Sequence, residues 1–124
     1  MVFIFGGAYQ GKLEFARELF GADKTVFECT LEGKPAFAAD IIYAYHTLIL
    51  SLIRSGTDPC EYTRNSLDKL KSKIIICDDI SSGVVPVEPE MRAWRESVGR
   101  CMGIISANSD RVYRVFCGIG TKIK

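Results

Sequence analysis

The chain has 124 residues, of which 48% are hydrophobic and 25% charged, so one folded domain spanning residues 1–124 is expected rather than a disordered or fibrous chain. Sixteen Lys and Arg against fifteen Asp and Glu leave a formal charge of +1, which gives no global field toward nucleic acid or an anionic membrane. No nucleic-acid or membrane partner is therefore expected, and any anion site must be local.

The opening Met-Val-Phe-Ile-Phe runs straight into glycines with no basic leader and no small-residue cleavage site, so no export signal is expected. The five cysteines, Cys29, Cys60, Cys77, Cys101 and Cys117, are an odd set without C-x-x-C spacing, and three lie in apolar stretches. That pattern fits reduced thiols of a cytoplasmic protein better than a disulfide frame or a zinc site.

Val2 to Phe5 reads as a short apolar strand that stops at Gly6-Gly7. After Lys12, residues Leu13, Ala16, Leu19 and Phe20 fall on one side of a helix, Glu14, Arg17 and Glu18 on the other, and Gly21 can close it. Strand, glycine loop and helix is the arrangement of a phosphate loop, in which backbone N–H groups and a helix N-terminus cradle an anion and a lysine reaches the outer phosphates. FGGAYQGKL supplies G-x-x-x-x-G-K: the expected nucleotide-binding set is Gly6, Gly7, Ala8, Tyr9, Gln10, Gly11, Lys12 and Leu13, with Lys12 as a catalytic cation. The pattern calls for Ser or Thr after the lysine, as a ligand to Mg²⁺, and Leu13 stands there instead.

Thr25 to Cys29 reads as a second strand. From residue 35 to Arg54 the chain is nearly apolar, interrupted by Asp40 and His46, and the spacing predicts a buried helix too short to span a membrane. His46, the one histidine, is read as a packed structural residue. Asp58-Pro59-Cys60-Glu61 starts a further helix, with Asp58 as cap, Pro59 at the first position and Glu61 answering the cap; its polar sequence to about Lys71 predicts an outer position.

Lys73 to Asp79 predicts a buried strand whose carboxylates Asp78 and Asp79 arrive at the sheet edge where ligands of open α/β sheets bind. Both are candidate Mg²⁺ ligands, and Asp79 is the second candidate catalytic residue. Because adjacent strand residues face opposite ways, one of the two is expected to be structural. Ser81 and Ser82 either donate to a ligand or bond the local backbone, the latter being the simpler reading. Pro89 starts a helix with Met91, Trp94, Val98, Met102 and Ile105 toward the core. Arg92, Arg95 and Arg100 on it are a phosphate clamp, a subunit contact or a solvated face, and the sequence favours the last. Val112 to Phe116 predicts a last strand, followed by a glycine turn and a short tail.

DDISSGVVPVEPEMRAWRESVGR followed by SANSDRVYRVFCGIGTKIK resembles the C-terminal half of the bifunctional adenosylcobinamide kinase/adenosylcobinamide-phosphate guanylyltransferase family, where the stretch reads N-E-V-G-x-G-I-V-P, R-x-F-R-D-x-x-G-R-x-N and A-D-x-V-x-x-V-x-x-G. The resemblance implies a P-loop NTPase-like α/β fold, a mostly parallel sheet flanked by helices, and a homo-oligomer. It implies ATP or GTP with Mg²⁺ as cofactors, a corrinoid as acceptor, and Asp79, Gly83, Pro86, Arg92, Arg95, Gly99 and Arg100 at family positions. Departures cluster at the chemistry: Gln10 and Leu13 replace loop hydroxyls, Met102 replaces an Asn, and residues 32–37 lack the guanylylated histidine. The expectation is a kinase-like nucleotide-binding protein without guanylyltransferase activity, or a non-catalytic nucleotide-binding or interaction protein derived from that enzyme.

Overall fold

Consecutive β-branched and aromatic residues in short runs are best buried in parallel strands covered on both faces, and the chain contains five such runs. The computed structural model describes residues 1–32, 36–81 and 83–124. In chain order its elements are β1 (Val2–Gly6), α1 (Lys12–Phe20), β2 (Val26–Glu28), β3 (Ile41–Tyr43), α2 (Tyr45–Arg54), α3 (Pro59–Leu70), β4 (Ile74–Asp78), α4 (Pro89–Ala107), β5 (Arg111–Phe116) and β6 (Ile119–Lys122). The strands form one six-stranded sheet in the order β2-β3-β4-β1-β5-β6, parallel except for the β5–β6 hairpin. This is the P-loop NTPase-like α/β fold expected from the sequence, a mostly parallel sheet flanked by helices.

Side-chain alternation along the strands divides the core. Phe3, Ile42, Ile75, Cys77 and Val112 point to the face covered by α2, α3 and α4, where Tyr45, Leu48, Ile49, Leu70, Val98, Cys101 and Ile105 are buried. Ile4, Ile41, Ile74, Ile76, Tyr113 and Val115 point to the other face, where Ala16 of α1 packs against them. Buried Cys29, Cys77 and Cys101 are free thiols, as the unpaired cysteine pattern predicts. Burial pushes the Cys29 thiol up to about 12, with nearby Glu28 adding to the shift, so it is an inert packing residue. No helix of the described residues is long and apolar enough to cross a membrane.

Four expectations are corrected. The apolar run from 35 to 54 is not one helix: Ile41–Tyr43 is a strand between β2 and β4, Ala44 adopts φ 64°, and only then does α2 begin. A run that is apolar on every side carries no periodicity, so strand and helix look alike in it; residues 33–35, at its start, lie outside the described residues. Leu19, expected in the core, is exposed, because the buried side of α1 runs through Lys12 and Ala16. Helix α3 packs along α4 and buries Thr63 and Ser66 as well as Leu70; the Thr63 hydroxyl meets the Tyr45 hydroxyl at 2.9 Å and Ser66 donates to Tyr62 O at 2.8 Å, so polar residues reach the interior already bonded. The C-terminal tail is strand β6, turned by Cys117 and Gly118 at φ 51° and 76°, a pair of left-handed residues suited to a tight hairpin. Asp58 caps α3 as expected by accepting the Cys60 N–H at 2.9 Å.

Gly6 ends β1 against β5, and a Cβ there would lie 2.3 Å from the Val115 carbonyl oxygen. Gly103, in an open stretch of α4, would meet nothing within 4 Å. Gly6→Ala is therefore expected to lower the thermal midpoint by many degrees and Gly103→Ala to raise stability by about 0.5–1 kcal/mol, both read by circular dichroism melts.

Candidate functional site

In parallel sheets the C-terminal strand ends gather the loops, and here the β1 and β4 register brings Gly6 opposite Asp78. The chain turns through residues 7–11 into α1, with Tyr9 at φ 59° and Gly11 at φ 84°. Left-handed backbone at an aromatic residue is uncommon and signals a loop held in shape by its surroundings. Those surroundings are the β5–β6 turn. Gln10 accepts the Cys117 N–H on Oε1 at 2.6 Å, its carbonyl accepts the Gly118 N–H at 2.8 Å, and a Cβ on Gly11 would stand 3.4 Å from Gly118 Cα. Gln10, read from sequence as a loop position and a departure, also ties the loop to the hairpin.

Lys12 opens α1 and folds back under the loop, where only 5% of its side chain is exposed. Its ammonium donates to Gly7 O at 2.6 Å and pairs with Asp78 Oδ1 at 2.7 Å. Leu13, partly buried, packs toward the α1 face of the sheet and also lines the cavity beside the loop. That cavity, about 560 Å³, is walled on one side by Tyr9, Gln10, Gly11, Lys12 and Glu14 and on the other by Glu28, Tyr43, His46, Thr47 and Asp78.

His46 is the residue that sequence reasoning set aside. It lies in the first turn of α2, just past the β3 end, and its Nδ1 accepts the Asp78 backbone N–H at 3.0 Å while Nε2 stands 3.5 Å from Asp78 Oδ2. Trp94 of α4 donates its indole N–H to the His46 carbonyl at 2.7 Å. The missing signal was the strand hidden in residues 41–43: once Ile41–Tyr43 is a strand, His46 sits at the same sheet edge as Asp78. Tyr43 follows the same logic. Its phenol is held above its ordinary range by burial first, and then by Asp78, Glu28 and Glu14.

The two aspartates separate as adjacent strand residues do. Asp78 faces Lys12, whereas Asp79 turns into the following loop, its Oδ1 accepting the Ser81 N–H at 3.0 Å and hydroxyl at 2.6 Å, while its backbone N–H donates to Gly6 O at 2.8 Å. Ser82 lies outside the described residues. Arg95, expected on a solvated face, is partly buried instead: Nε donates to Ser81 O at 2.9 Å and Nη2 to Gly83 O at 2.7 Å. Arg92 donates to Val87 O, and Arg100 pairs with Glu96 at 2.5 Å on the exposed face. Two of the three arginines thus fasten the loop between β4 and α4, which offers them backbone carbonyls that sequence does not reveal.

Mg²⁺ requires several oxygen ligands in octahedral array. Leu13 carries no ligand atom, Asp78 is paired with Lys12, one Asp79 oxygen is taken by Ser81, and no group of three His, Cys, Asp or Glu able to hold a metal ion occurs among the described residues. These side chains do not fit a metal site of the protein's own, and any Mg²⁺ would have to travel on nucleotide oxygens.

Burial lowers the His46 pKa, Asp78 opposes that shift and Lys12 adds to it. A base whose folded pKa is depressed contributes stability that is complete above its unfolded value and is lost as pH falls through it. Thermal midpoints should therefore fall between about pH 8 and pH 5 in the wild type, and the slope over this window should shrink in His46→Asn.

Comparison with family models matches residues 51–123 to a family described as cobinamide kinase / cobinamide phosphate guanyltransferase. No curated protein matches the chain.

Proposed function

Because the chain belongs to the cobinamide kinase / cobinamide phosphate guanyltransferase family, we propose that it is a P-loop nucleotide-binding protein that transfers a phosphoryl group from ATP or GTP to a corrinoid hydroxyl, without guanylyltransferase activity. The observation that carries this reading is the placement of a left-handed glycine loop and a buried lysine at the sheet edge, beside a cavity with a second, independent wall. Catalysis of phosphoryl transfer is largely positioning and charge stabilisation, so a cradle and a lysine on one wall and an acceptor pocket on the other are its minimal parts.

In this reading the loop N–H groups and the α1 N-terminus bind the phosphates, and Lys12 leaves Asp78 for a phosphate oxygen. The acceptor hydroxyl enters beside Tyr43 and Thr47. Asp78, once released, lies at the same edge to accept the hydroxyl proton. Asp79 keeps the position that the family resemblance gives it and supports the β4–α4 loop through Ser81. Bound nucleotide would supply the transferable phosphoryl group; the family's Mg²⁺ enters only on that nucleotide.

The loss of guanylyl transfer is supported by chemistry at the one histidine. An Nδ1 that accepts an amide proton has its lone pair committed, and the neutral ring then carries its proton on Nε2, so neither nitrogen is available as a nucleophile. Leu13 favours a second reading, nucleotide binding without turnover, because a hydrocarbon replaces the metal-ligating hydroxyl.

Calorimetric titration with ATP and with GTP, each with and without Mg²⁺, tests both readings. Binding is expected to weaken at least tenfold in Lys12→Ala, as loss of a charge-assisted contact to phosphate implies. Absence of binding by either nucleotide refutes both readings. Mg²⁺-dependent transfer from ATP to a cobinamide that disappears in Lys12→Ala establishes the first; binding indifferent to Mg²⁺ and no transfer, even in Leu13→Ser, establishes the second.

A further inference from the structure

The loop lysine lines the cavity with its charge already engaged. Its ammonium is bonded to Gly7 O and Asp78 Oδ1 and almost wholly buried, so an entering anion meets a cation that already has a counter-ion. What keeps Asp78 there is on the opposite wall. One carboxylate oxygen is on Lys12 and the other faces His46 Nε2, while the backbone N–H of the same residue is bonded to His46 Nδ1. A single imidazole therefore holds the main chain of Asp78 and stands beside its carboxylate, and its own position is set by the α2 first turn and by the Trp94 indole on its carbonyl.

We infer that His46 is a positioning residue of the anion cradle: by accepting the Asp78 amide on Nδ1, with Nε2 beside the carboxylate, it keeps Asp78 on Lys12, so that an entering phosphate must take the lysine from Asp78. The tautomer follows from the amide bond. An amide N–H can only donate, so Nδ1 must be unprotonated, and the neutral ring then has its N–H on Nε2, the nitrogen that stands 3.5 Å from the carboxylate. The hand-over needs no covalent step: Lys12 exchanges one oxygen partner for another, and Asp78 is left with its His46 contact. The side chain that was set aside as packing thereby sets the resting state of the loop. This inference rests on the cavity being a phosphate site, and it adds what controls access to its lysine.

Inorganic pyrophosphate is the probe, with affinity measured by calorimetry at about pH 8, where histidine is neutral. His46→Leu removes both contacts and is expected to bind pyrophosphate roughly fivefold more tightly than the wild type, the scale of a partly exposed ion pair. His46→Asn, which keeps an acceptor for the Asp78 amide, should return the affinity toward the wild-type value. In an Asp78→Asn background the His46→Leu gain should vanish, since the group being positioned is gone. The chain has one histidine, so the ring ¹⁵N spectrum of the wild type reports the tautomer without assignment, and the Nε2 signal should move when pyrophosphate is added.

A ring protonated on Nδ1, or an effect of His46→Leu that is absent or equal in both backgrounds, overturns the inference while leaving phosphate binding intact. Failure of pyrophosphate to bind any of these proteins overturns the phosphate reading and this inference together. If His46→Leu does not fold, the wild-type ring spectrum and its response to pyrophosphate decide the question.

Discussion

The pairing of β1 with β4 in parallel, with Gly6 opposite Asp78, is the constraint on which the rest of the site depends. It places the end of the first strand, from which the loop departs, beside the only β4 carboxylate that faces the cavity. A residue larger than glycine at position 6 would strike the β5 backbone, and β5 in turn carries the hairpin whose turn donates its N–H groups to Gln10 of the loop. Strand order, loop shape and the Lys12–Asp78 contact are consequences of one arrangement at the sheet centre.

A lysine and an aspartate brought together at the edge of a core are poor contributors to stability, since desolvation offsets their attraction. Removing either partner would leave a charge with its counter-ion gone, which makes the pair hard to lose once established. The surrounding bonds have the same character: His46 to the Asp78 amide, Trp94 to the His46 carbonyl and Asp79 to Ser81 each satisfy a polar group at the strand ends and fix an orientation.

Helix α4 connects the two ends of this economy. It supplies core residues Val98, Cys101 and Ile105 on one side, the indole behind His46 near its start, and the Arg95 guanidinium that holds Ser81 and Gly83. Arg92 and Arg95 therefore fasten the loop following β4, whereas Arg100 pairs with Glu96 on the exposed face.

Much of this was legible in the sequence because the relevant signals are local. Apolar runs stopped by glycines mark β1 and its loop, Asp58-Pro59 marks the α3 start, three isoleucines mark β4, and Pro89 with its apolar spacing marks α4. Lys12 and its glycines follow from the motif alone, and the alternation of strand side chains anticipates that Asp78 and Asp79 must part. What only the tertiary structure decided depends on pairing between distant segments. Ile41–Tyr43 becomes a strand because β2 and β4 lie on either side of it, and that choice moves His46 from an apparent helix interior to the sheet edge. Gln10 meets Cys117, and Arg95 meets the Ser81 carbonyl, because the fold brings backbone groups together that no residue pattern announces. Local chemistry specified the elements and the loop; which side chain opposes which was settled by long-range hydrogen bonding and packing, which act between residues that the sequence keeps far apart.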